Sequence, residues 1–188
     1  MKLMNNKICS VLLRICGIKL GKAVKIHGWP YIFRFRGAKI EIGDRVVINS
    51  SFLSNLIGLY QPTIIVARYG GKISIGDDVG ISGSTIYSWD DIDIGARTQI
   101  GANTKIVDTD FHSLDYRKRK SSDSVKTKPV HIGSDVFIGM NSIILKGTSI
   151  GNGCVVGAGS VVSGEFPDGV LIAGNPARVV RHIDDERK

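Results

Sequence analysis

The chain has 188 residues, a length that favours one domain with a sizeable core, and only 7% of them are aromatic. Lysine and arginine outnumber aspartate and glutamate by 25 to 17, giving a formal charge of +8 that favours phosphate-bearing ligands. The sequence has neither a long basic tail nor a basic platform interleaved with aromatic residues, which argues against nucleic acid as the partner.

The cysteines and the first residues indicate a compartment. Cys9, Cys16 and Cys154 are an odd number with no metal-type spacing, which favours a reducing environment. The apolar stretch near the N-terminus is interrupted by Arg14, is too short to span a bilayer and lacks a small-residue cleavage site. We therefore expect a cytoplasmic protein.

Residues 1–21 are predicted to cap the end of the fold. The apolar side chains between residues 8 and 20 have the spacing of one face of a short helix: Ile8, Val11, Leu12, Ile15, Cys16 and Leu20. A helix that covers the open first coil is the favoured interpretation. The less favoured alternative is contact of residues 1–20 with a membrane surface, supported by the nearby cations Lys2, Lys7, Arg14 and Lys19.

A six-residue repeat begins soon afterwards. Pairs of an aliphatic residue and glycine mark it at Ile42-Gly43, Ile75-Gly76, Ile94-Gly95 and Ile100-Gly101. Between residues 50 and 71 the repeat is lost, which predicts a loop that protrudes around residues 55–62. The residues leave the role of this loop open.

The repeat is regular from residue 132 to residue 162. Aliphatic side chains recur every six residues at Ile132, Ile138, Ile144, Ile150, Val156 and Val162. Four residues after each of the first five stands a generally small side chain: Val136, Ser142, Thr148, Cys154 and Ser160. A period of six fits neither a helix nor an alternating hairpin sheet and is typical of a parallel β-helix. We therefore predict an all-β fold with this β-helix over residues 22–163.

Residues 107–130 interrupt the repeat with a polar segment that has no period. Such an insertion in a solenoid projects from one face, often the binding face. After the last hexad, residues 164–188 are predicted to be a C-terminal extension with a short helix over residues 177–187. The expected architecture is thus a β-helix with a protruding loop and short terminal helices.

The loop contains a candidate catalytic residue, His112, with Asp108, Asp110 and Asp115 nearby. A carboxylate can orient an imidazole and fix its tautomer, as a general base requires. On spacing alone, a histidine that merely decorates the surface is the alternative. The other three histidines are predicted to be solvated: His27, His131 and His182.

The hexads resemble those of the hexapeptide-repeat acyltransferases, as do the loop segment Asp110-Phe111-His112-Ser113-Leu114-Asp115 and the ending Ala173-Gly174-Asn175-Pro176-Ala177-Arg178. In particular, the sequence is similar to sugar O-acetyltransferases, including the maltose and galactoside enzymes and those of capsule and lipopolysaccharide clusters. The resemblance implies a single-stranded left-handed β-helix, an exception to the right-handed crossover rule. It also implies a homotrimer that binds acetyl-CoA between adjacent subunits.

The same resemblance implies roles for individual residues. His112 would be the general base that deprotonates an acceptor hydroxyl, with Asp110 or Asp115 as the carboxylate that assists it. Residues expected to contact the cofactor are Gly139, Ala158, Arg178 and Arg181, the arginines facing its phosphates. No metal is implied.

The sequence departs from the family pattern in two places that matter for the site. Ser163-Gly164-Glu165 stands where Thr-Lys-Asp is common, so one lysine contact to the cofactor is missing. The returning part of the loop has Ser124-Val125-Lys126 where some relatives have an acidic residue that assists the histidine. That role therefore stays unassigned.

The function expected from these residues is transfer of an acetyl group from acetyl-CoA to a sugar or glycan hydroxyl, in surface polysaccharide biosynthesis. One alternative keeps the chemistry but changes the acceptor to a nucleotide-linked amino sugar or another amine. A second is a zinc enzyme, such as a γ-type carbonic anhydrase, which needs three convergent imidazoles. A third is a β-helix without catalytic activity, because a fold does not fix a function.

Overall fold

The computed structural model describes residues 6–184, which form one α-helix, α1 (Asn6–Ile15), and 21 strands. In chain order the strands are β1 (Lys19–Leu20), β2 (Lys25–Gly28), β3 (Tyr31–Arg34), β4 (Lys39–Ile42), β5 (Val47–Ser50), β6 (Ile64–Ala67), β7 (Lys72–Ile75), β8 (Gly80–Ser82), β9 (Thr85–Ser88), β10 (Asp91–Ile94), β11 (Gln99–Ile100), β12 (Lys105–Val107), β13 (Val130–Ile132), β14 (Phe137–Ile138), β15 (Ile143–Ile144), β16 (Ser149–Ile150), β17 (Val155–Val156), β18 (Val161–Val162), β19 (Glu165–Phe166), β20 (Val170–Gly174) and β21 (Ala177–His182). Short 3-10 turns lie at Phe52–Ser54, Tyr116–Lys118 and Ser122–Ser124.

Every third strand joins the same sheet, so three parallel sheets form the sides of a tube. Sheet A has the order β1-β4-β7-β10-β13-β16-β19, sheet B the order β2-β5-β8-β11-β14-β17-β20-β21, and sheet C the order β18-β15-β12-β9-β6-β3. The chain passes from A to B to C in each turn, and three hexads complete one coil. This arrangement confirms the predicted all-β parallel β-helix.

The hexad aliphatics fill the tube in straight columns. Ile132 pairs with Ile150 in sheet A, and Ile138 with Val156 in sheet B. In sheet C, Ile144 pairs with Val162. These side chains are at most 2% exposed, and the predicted small inward residues are also buried. Removing one such side chain, as in Ile138→Ala, costs about 2–5 kcal/mol because the stacked neighbours cannot close the cavity.

The helix α1 packs against the first coil at the N-terminal end of the tube. Its inward residues Cys9 and Leu13 are buried with Ile18 and Leu20 of the first coil. The coils begin at β1 and continue through β20, so the coiled part is longer than residues 22–163. Lys2 of the predicted contact segment lies outside the described residues.

The predicted C-terminal helix over residues 177–187 is wrong as far as the described residues reach. Residues Ala177–His182 form β21, which pairs antiparallel with β20 across the turn Asn175-Pro176. Two adjacent β-branched residues, Val179 and Val180, favour a strand, and β20 offers a free edge to pair with. Residues 185–188 of that prediction lie outside the described residues.

The loop between β5 and β6 protrudes as predicted. Phe52, Leu53, Leu56 and Tyr60 are each more than 60% accessible, whereas Leu59 is buried. The buried Asn103 holds this loop, because its side-chain amide donates to the carbonyl of Gly58 (3.0 Å).

Candidate active site

The loop that interrupts the repeat lies between β12 and β13, at the corner between sheets C and A. Its two ends are tied together near the tube. Thr109 forms an antiparallel bridge with Thr127, and the amide of Asp110 donates to the carbonyl of Lys126 (3.1 Å). The loop therefore has a fixed base from which its tip projects.

Asp108 anchors this base to the preceding coil. Its buried carboxylate accepts hydrogen bonds from the Ser88 hydroxyl (2.6 Å), the Trp89 amide (2.8 Å) and the Asp90 amide (2.9 Å). Burial raises the pKa of Asp108 from its ordinary value, and these hydrogen bonds oppose the rise only in part. Since the carboxylate is committed to residues 88–90, Asp108 positions the segment beside the loop.

A strained turn presents His112. Phe111 has a φ of +60°, an uncommon conformation for a bulky residue, and the His112 amide donates to the carbonyl of Asp110 (2.7 Å). The Phe111 ring is held edge-on against Tyr87 (centroids 5.1 Å apart) and Trp89 (6.2 Å). The imidazole of His112 is exposed and has no hydrogen-bond partner among the described residues. The turn thus directs an unpaired imidazole outward.

The two carboxylates predicted to assist His112 have other partners in this chain. Asp110 pairs with Lys146 (3.2 Å), and both side chains are mostly buried. Asp115 accepts from the Arg117 guanidinium (2.9 and 3.1 Å), and these hydrogen bonds lower the pKa of its carboxyl. Asp110 is linked to His112 through the backbone hydrogen bond of the turn. Lys146 was not anticipated, because it comes from the coil after the loop.

Two buried polar atoms beside the loop lack partners. The indole nitrogen of Trp89 and one carboxylate oxygen of Asp91 make no hydrogen bond to any described residue. The Trp89 ring packs edge-on against Tyr69 as well as Phe111. Both atoms are enclosed by the protein, so a polar ligand would reach them only after the neighbouring side chains move.

A groove of about 440 Å³ runs along the corner between sheets B and C. Its floor is a column of corner residues from successive coils, which includes the predicted cofactor residues Gly139 and Ala158. A Cβ on Gly139 would lie 2.5 Å from the backbone nitrogen of Ala158, so only glycine fits there. Asn55 and Ile57 of the protruding loop form the other wall.

The corners between sheets A and B differ from those between sheets B and C in the hydrogen bonds of their backbone amides. Between sheets A and B, the amide after the corner glycine commonly donates to a side-chain oxygen of the next coil, as for Lys22, Asp44, Ser134 and Asn152. Between sheets B and C, Met140 and Ala158 occupy that position, and their amides donate to no described residue. The groove therefore offers N–H donors to a ligand.

The predicted phosphate-facing arginines lie on β21. Arg178 is exposed and pairs in register with Ala173, whose Cβ lies next to Gly157 at the end of the corner column. Arg181 lies farther along β21, opposite Leu171. The structure thus brings Arg178 to the end of the groove and Arg181 to the far end of the hairpin.

His112 and the groove stand at different corners of the same chain. Sheet C separates them, and no residue of the loop over 108–129 lines the groove. From Ala102 to Asp108 the chain crosses six residues, up to about 20 Å when extended. One chain therefore does not bring the imidazole and the groove together.

Neither a metal cluster nor a membrane span emerges from the described part of the chain. Between residues 6 and 184 no three histidine, cysteine or acidic side chains are grouped so that they could hold a metal ion. No helix there has the length and apolar character needed to cross a bilayer. Of the other histidines, His131 and His182 are exposed and His27 is half-buried.

A family profile described as the hexapeptide repeat of succinyl-transferase matches residues 129–163. Residues 129–163 of this chain therefore carry the hexapeptide repeat that this family profile describes. The fold of the chain is the left-handed parallel β-helix of its solved neighbours, as predicted. With AntD, an N-acyltransferase from Bacillus cereus solved with dTDP-4-amino-4,6-dideoxyglucose and coenzyme A, the TM-score is 0.71 at 24% identity, covering 92% of this chain and 88% of that one.

The chain is also similar to proteins named as acetyltransferases. A Mycobacterium tuberculosis relative is 34% identical over 87% of this chain and 49% of its own length. An Escherichia coli relative named for lipopolysaccharide biosynthesis O-acetyl transfer, WbbJ, is 35% identical over 63% of this chain and 64% of its own. An acetyltransferase from Vibrio cholerae, solved with acetyl coenzyme A, has a TM-score of 0.58 at 26% identity, covering 96% of this chain and 79% of that one. The chain thus spans about half to two thirds of the curated relatives' length.

Proposed function

We propose that this protein transfers an acetyl group from acetyl-CoA to a hydroxyl of a sugar or glycan in surface polysaccharide biosynthesis. The observation that carries the proposal is the strained turn at Phe111, which directs an exposed imidazole outward from a fixed loop base. The likeness to relatives named as acetyltransferases supports the reaction. The WbbJ likeness supports a glycan hydroxyl as the acceptor.

In this proposal the groove holds acetyl-CoA. The amides of Met140 and Ala158 would donate to the carbonyl oxygens of the pantetheine arm, and Gly139 leaves room for it. The Arg178 guanidinium, at the end of the corner column, suits a phosphate, with Arg181 as a further cation on the same strand. Acetyl-CoA bound to the Vibrio cholerae neighbour supports this assignment.

The separation of His112 from the groove supports a homotrimer with composite sites. The outward face of sheet C carries the apolar side chains Tyr31, Phe33, Tyr87, Val107 and Ile143, which a neighbouring subunit would cover. Placing the loop corner of one subunit against the groove corner of the next brings the imidazole to the thioester. A closed ring of three tubes repeats this contact at each interface.

The chemistry then follows from general-base catalysis. The imidazole of His112 accepts the proton of the acceptor hydroxyl as its oxygen attacks the thioester carbonyl. The tetrahedral intermediate expels the CoA thiolate, which takes the proton from the imidazolium, and the acetyl ester is left on the acceptor. General-base help contributes about 10²–10⁴ in rate, and holding both substrates in one groove contributes the rest. Asp110, two residues away, is the nearer of the two assisting carboxylates.

The acceptor would bind beside Trp89 and Asp91. Once the covering side chains move, an acceptor hydroxyl could accept from the indole N–H or donate to the free oxygen of Asp91. We place the reaction in the cytoplasm, where acetyl-CoA is made.

The test measures CoA release from acetyl-CoA with a panel of sugars, glycans and nucleotide-linked amino sugars. Wild type should turn over with a hydroxyl acceptor, His112→Gln should lose about 10²–10⁴ in kcat, and both proteins should melt alike. The product should be an ester that mild alkali cleaves. An alkali-stable product would be an amide and would indicate N-acetyl transfer to an amine instead. Full activity of His112→Gln would refute the assignment of His112 as the base.

A further inference from the structure

The N-terminal end of the tube has an apolar surface that the coil does not use. Among the α1 side chains that the structure describes, over residues 8–15, Cys9 and Leu13 face the coil and are buried. Four apolar side chains on the other face are between 42% and 75% exposed: Ile8, Val11, Leu12 and Ile15. With 3.6 residues per turn they fall within an arc of about 100°. The cap thus carries one apolar stripe against the core and a second one toward solvent.

The charge of the chain is concentrated at the same end. Residues 1–40 contain nine lysines and arginines and no aspartate or glutamate, whereas residues 41–188 contain 16 basic and 17 acidic side chains. The first 40 residues therefore carry +9 and the remainder −1, which together give the net +8. Because successive coils are about 4.8 Å apart, this charge lies within roughly 10–15 Å of the cap.

The cations near the cap are available to an external partner. Seven of them belong to residues 8–40 and are exposed: Arg14, Lys19, Lys22, Lys25, Arg34, Arg36 and Lys39. Lys19 pairs with Glu41, and the other six form no ion pair with a described residue. Arg34 also reaches the end of α1, since its guanidinium donates to the carbonyl of Cys16 (3.3 Å). These seven cations, called here the cationic ring, therefore adjoin the apolar stripe of α1.

We propose that α1 and the first coil form a docking surface for an anionic lipid bilayer. The apolar stripe would enter the boundary between headgroups and acyl chains while the ring of cations meets the anionic headgroups. A second copy of this end is a poor occupant, because two ends of charge +9 repel each other. Membrane binding would be reversible, because the buried face of α1 stays packed against the first coil.

This surface is separate from the acetyl-transfer site. The His112 loop leaves the tube after β12, three coils beyond the first and about 15 Å farther along the axis. Bilayer contact can therefore be tested independently of catalysis. Its consequence for function is that the protein would act close to lipid-borne acceptors.

The experiment is co-sedimentation of the full chain with phosphatidylcholine vesicles, with and without about 30 mol% phosphatidylglycerol, at several salt concentrations. Wild type should bind the anionic vesicles, bind neutral ones weakly, and dissociate as salt rises. The triple change Ile8→Gln, Leu12→Gln and Ile15→Gln should lower the partition coefficient at least about tenfold, as should Lys22→Gln, Lys25→Gln and Lys39→Gln. Circular dichroism and the melting temperature report whether each variant is folded.

A matched control makes three apolar-to-glutamine changes on a different part of the surface. Phe52→Gln, Leu53→Gln and Leu56→Gln remove three exposed apolar side chains from the loop between β5 and β6 and should leave vesicle binding unchanged. Absence of wild-type binding to anionic vesicles would overturn the proposal. So would equal losses in the control, or an α1 variant that binds vesicles normally but changes the mass of the protein in solution, which would identify a protein partner instead.

Discussion

The Asp108 carboxylate accepts a 2.6 Å hydrogen bond from the Ser88 hydroxyl, which joins the base of the His112 loop to the end of β9. The same carboxylate accepts the amides of Trp89 and Asp90. One buried side chain therefore fixes both the loop that carries the imidazole and the segment that carries the unpartnered indole nitrogen.

Asp108→Asn should destabilise the protein by about 1–3 kcal/mol, because the amide replaces an acceptor with a donor that faces the Trp89 and Asp90 amides. Since burial raises the pKa of Asp108, the folded state holds its proton more tightly than the unfolded state. The carboxyl therefore contributes stability below its ordinary pKa of 3.8, and this contribution is lost as pH rises through the folded pKa. In urea unfolding from about pH 3 to 7, the free energy of unfolding of wild type should exceed that of Asp108→Asn by less as the pH rises. An advantage that grows with pH would contradict the raised pKa.

Ala158→Pro should weaken CoA binding about 3- to 10-fold without unfolding the corner, because it removes one N–H donor. Ala158 precedes Gly159, which has a φ of +71°, so the pair fits the central positions of a type II turn, where proline is favoured first. Isothermal titration with CoA measures the effect. Ala96→Pro is the matched control, since Ala96 precedes Arg97 (φ +59°) at a corner away from the groove. Equal losses in both variants would contradict a specific role for the Ala158 amide.

If the protein forms the proposed homotrimer, mixed trimers of two inactive variants should regain activity. Ala158→Trp blocks the groove and His112→Gln removes the base, so each homotrimer should be inactive. If each site takes its imidazole and its groove from different subunits, co-expression in equal amounts should restore about one quarter of wild-type activity. Tagged co-purification verifies that mixed trimers form. No recovery in verified mixed trimers would indicate that imidazole and groove belong to the same chain.

The thiols should be irrelevant to catalysis. Cys9 and Cys154 are buried, and burial raises the pKa of both thiols, whereas Cys16 is exposed. One thiol should therefore react rapidly with a disulfide reagent in the native protein, and all three after denaturation. Acetyl transfer should survive this labelling and the change Cys16→Ser. Loss of activity in Cys16→Ser would point to a covalent acyl intermediate instead of direct attack.

The fold was predictable because every hexad needs an aliphatic side chain at the position that points into the tube. Ile138 and Val156 recur at a fixed period because both must fill the same column, so the period alone reveals a parallel β-helix. The helix predicted over residues 177–187 is wrong because residues 177–182 pair with the edge of β20. The β-branched pair Val179 and Val180 is a local signal for a strand, but the local sequence does not show which edge it pairs with.

The candidate site was predictable in part. His112 and the loop stood out because they interrupt the repeat. The partners of the carboxylates did not, since Lys146 and Ser88 come from neighbouring coils. The free amide of Met140 was equally hidden, because it depends on which side chain the next coil supplies at the corner, whereas a contact at Ala158 was expected from the family resemblance.

The hairpin formed by β20 and β21 has a consequence for solubility. A tube of parallel coils could add a further copy at its open end, as strands do in a fibril. Here sheet B ends in an antiparallel strand with the exposed cation Arg178, while sheets A and C end in strands of only two residues. An incoming parallel coil finds no matching edge, so the tube stops growing.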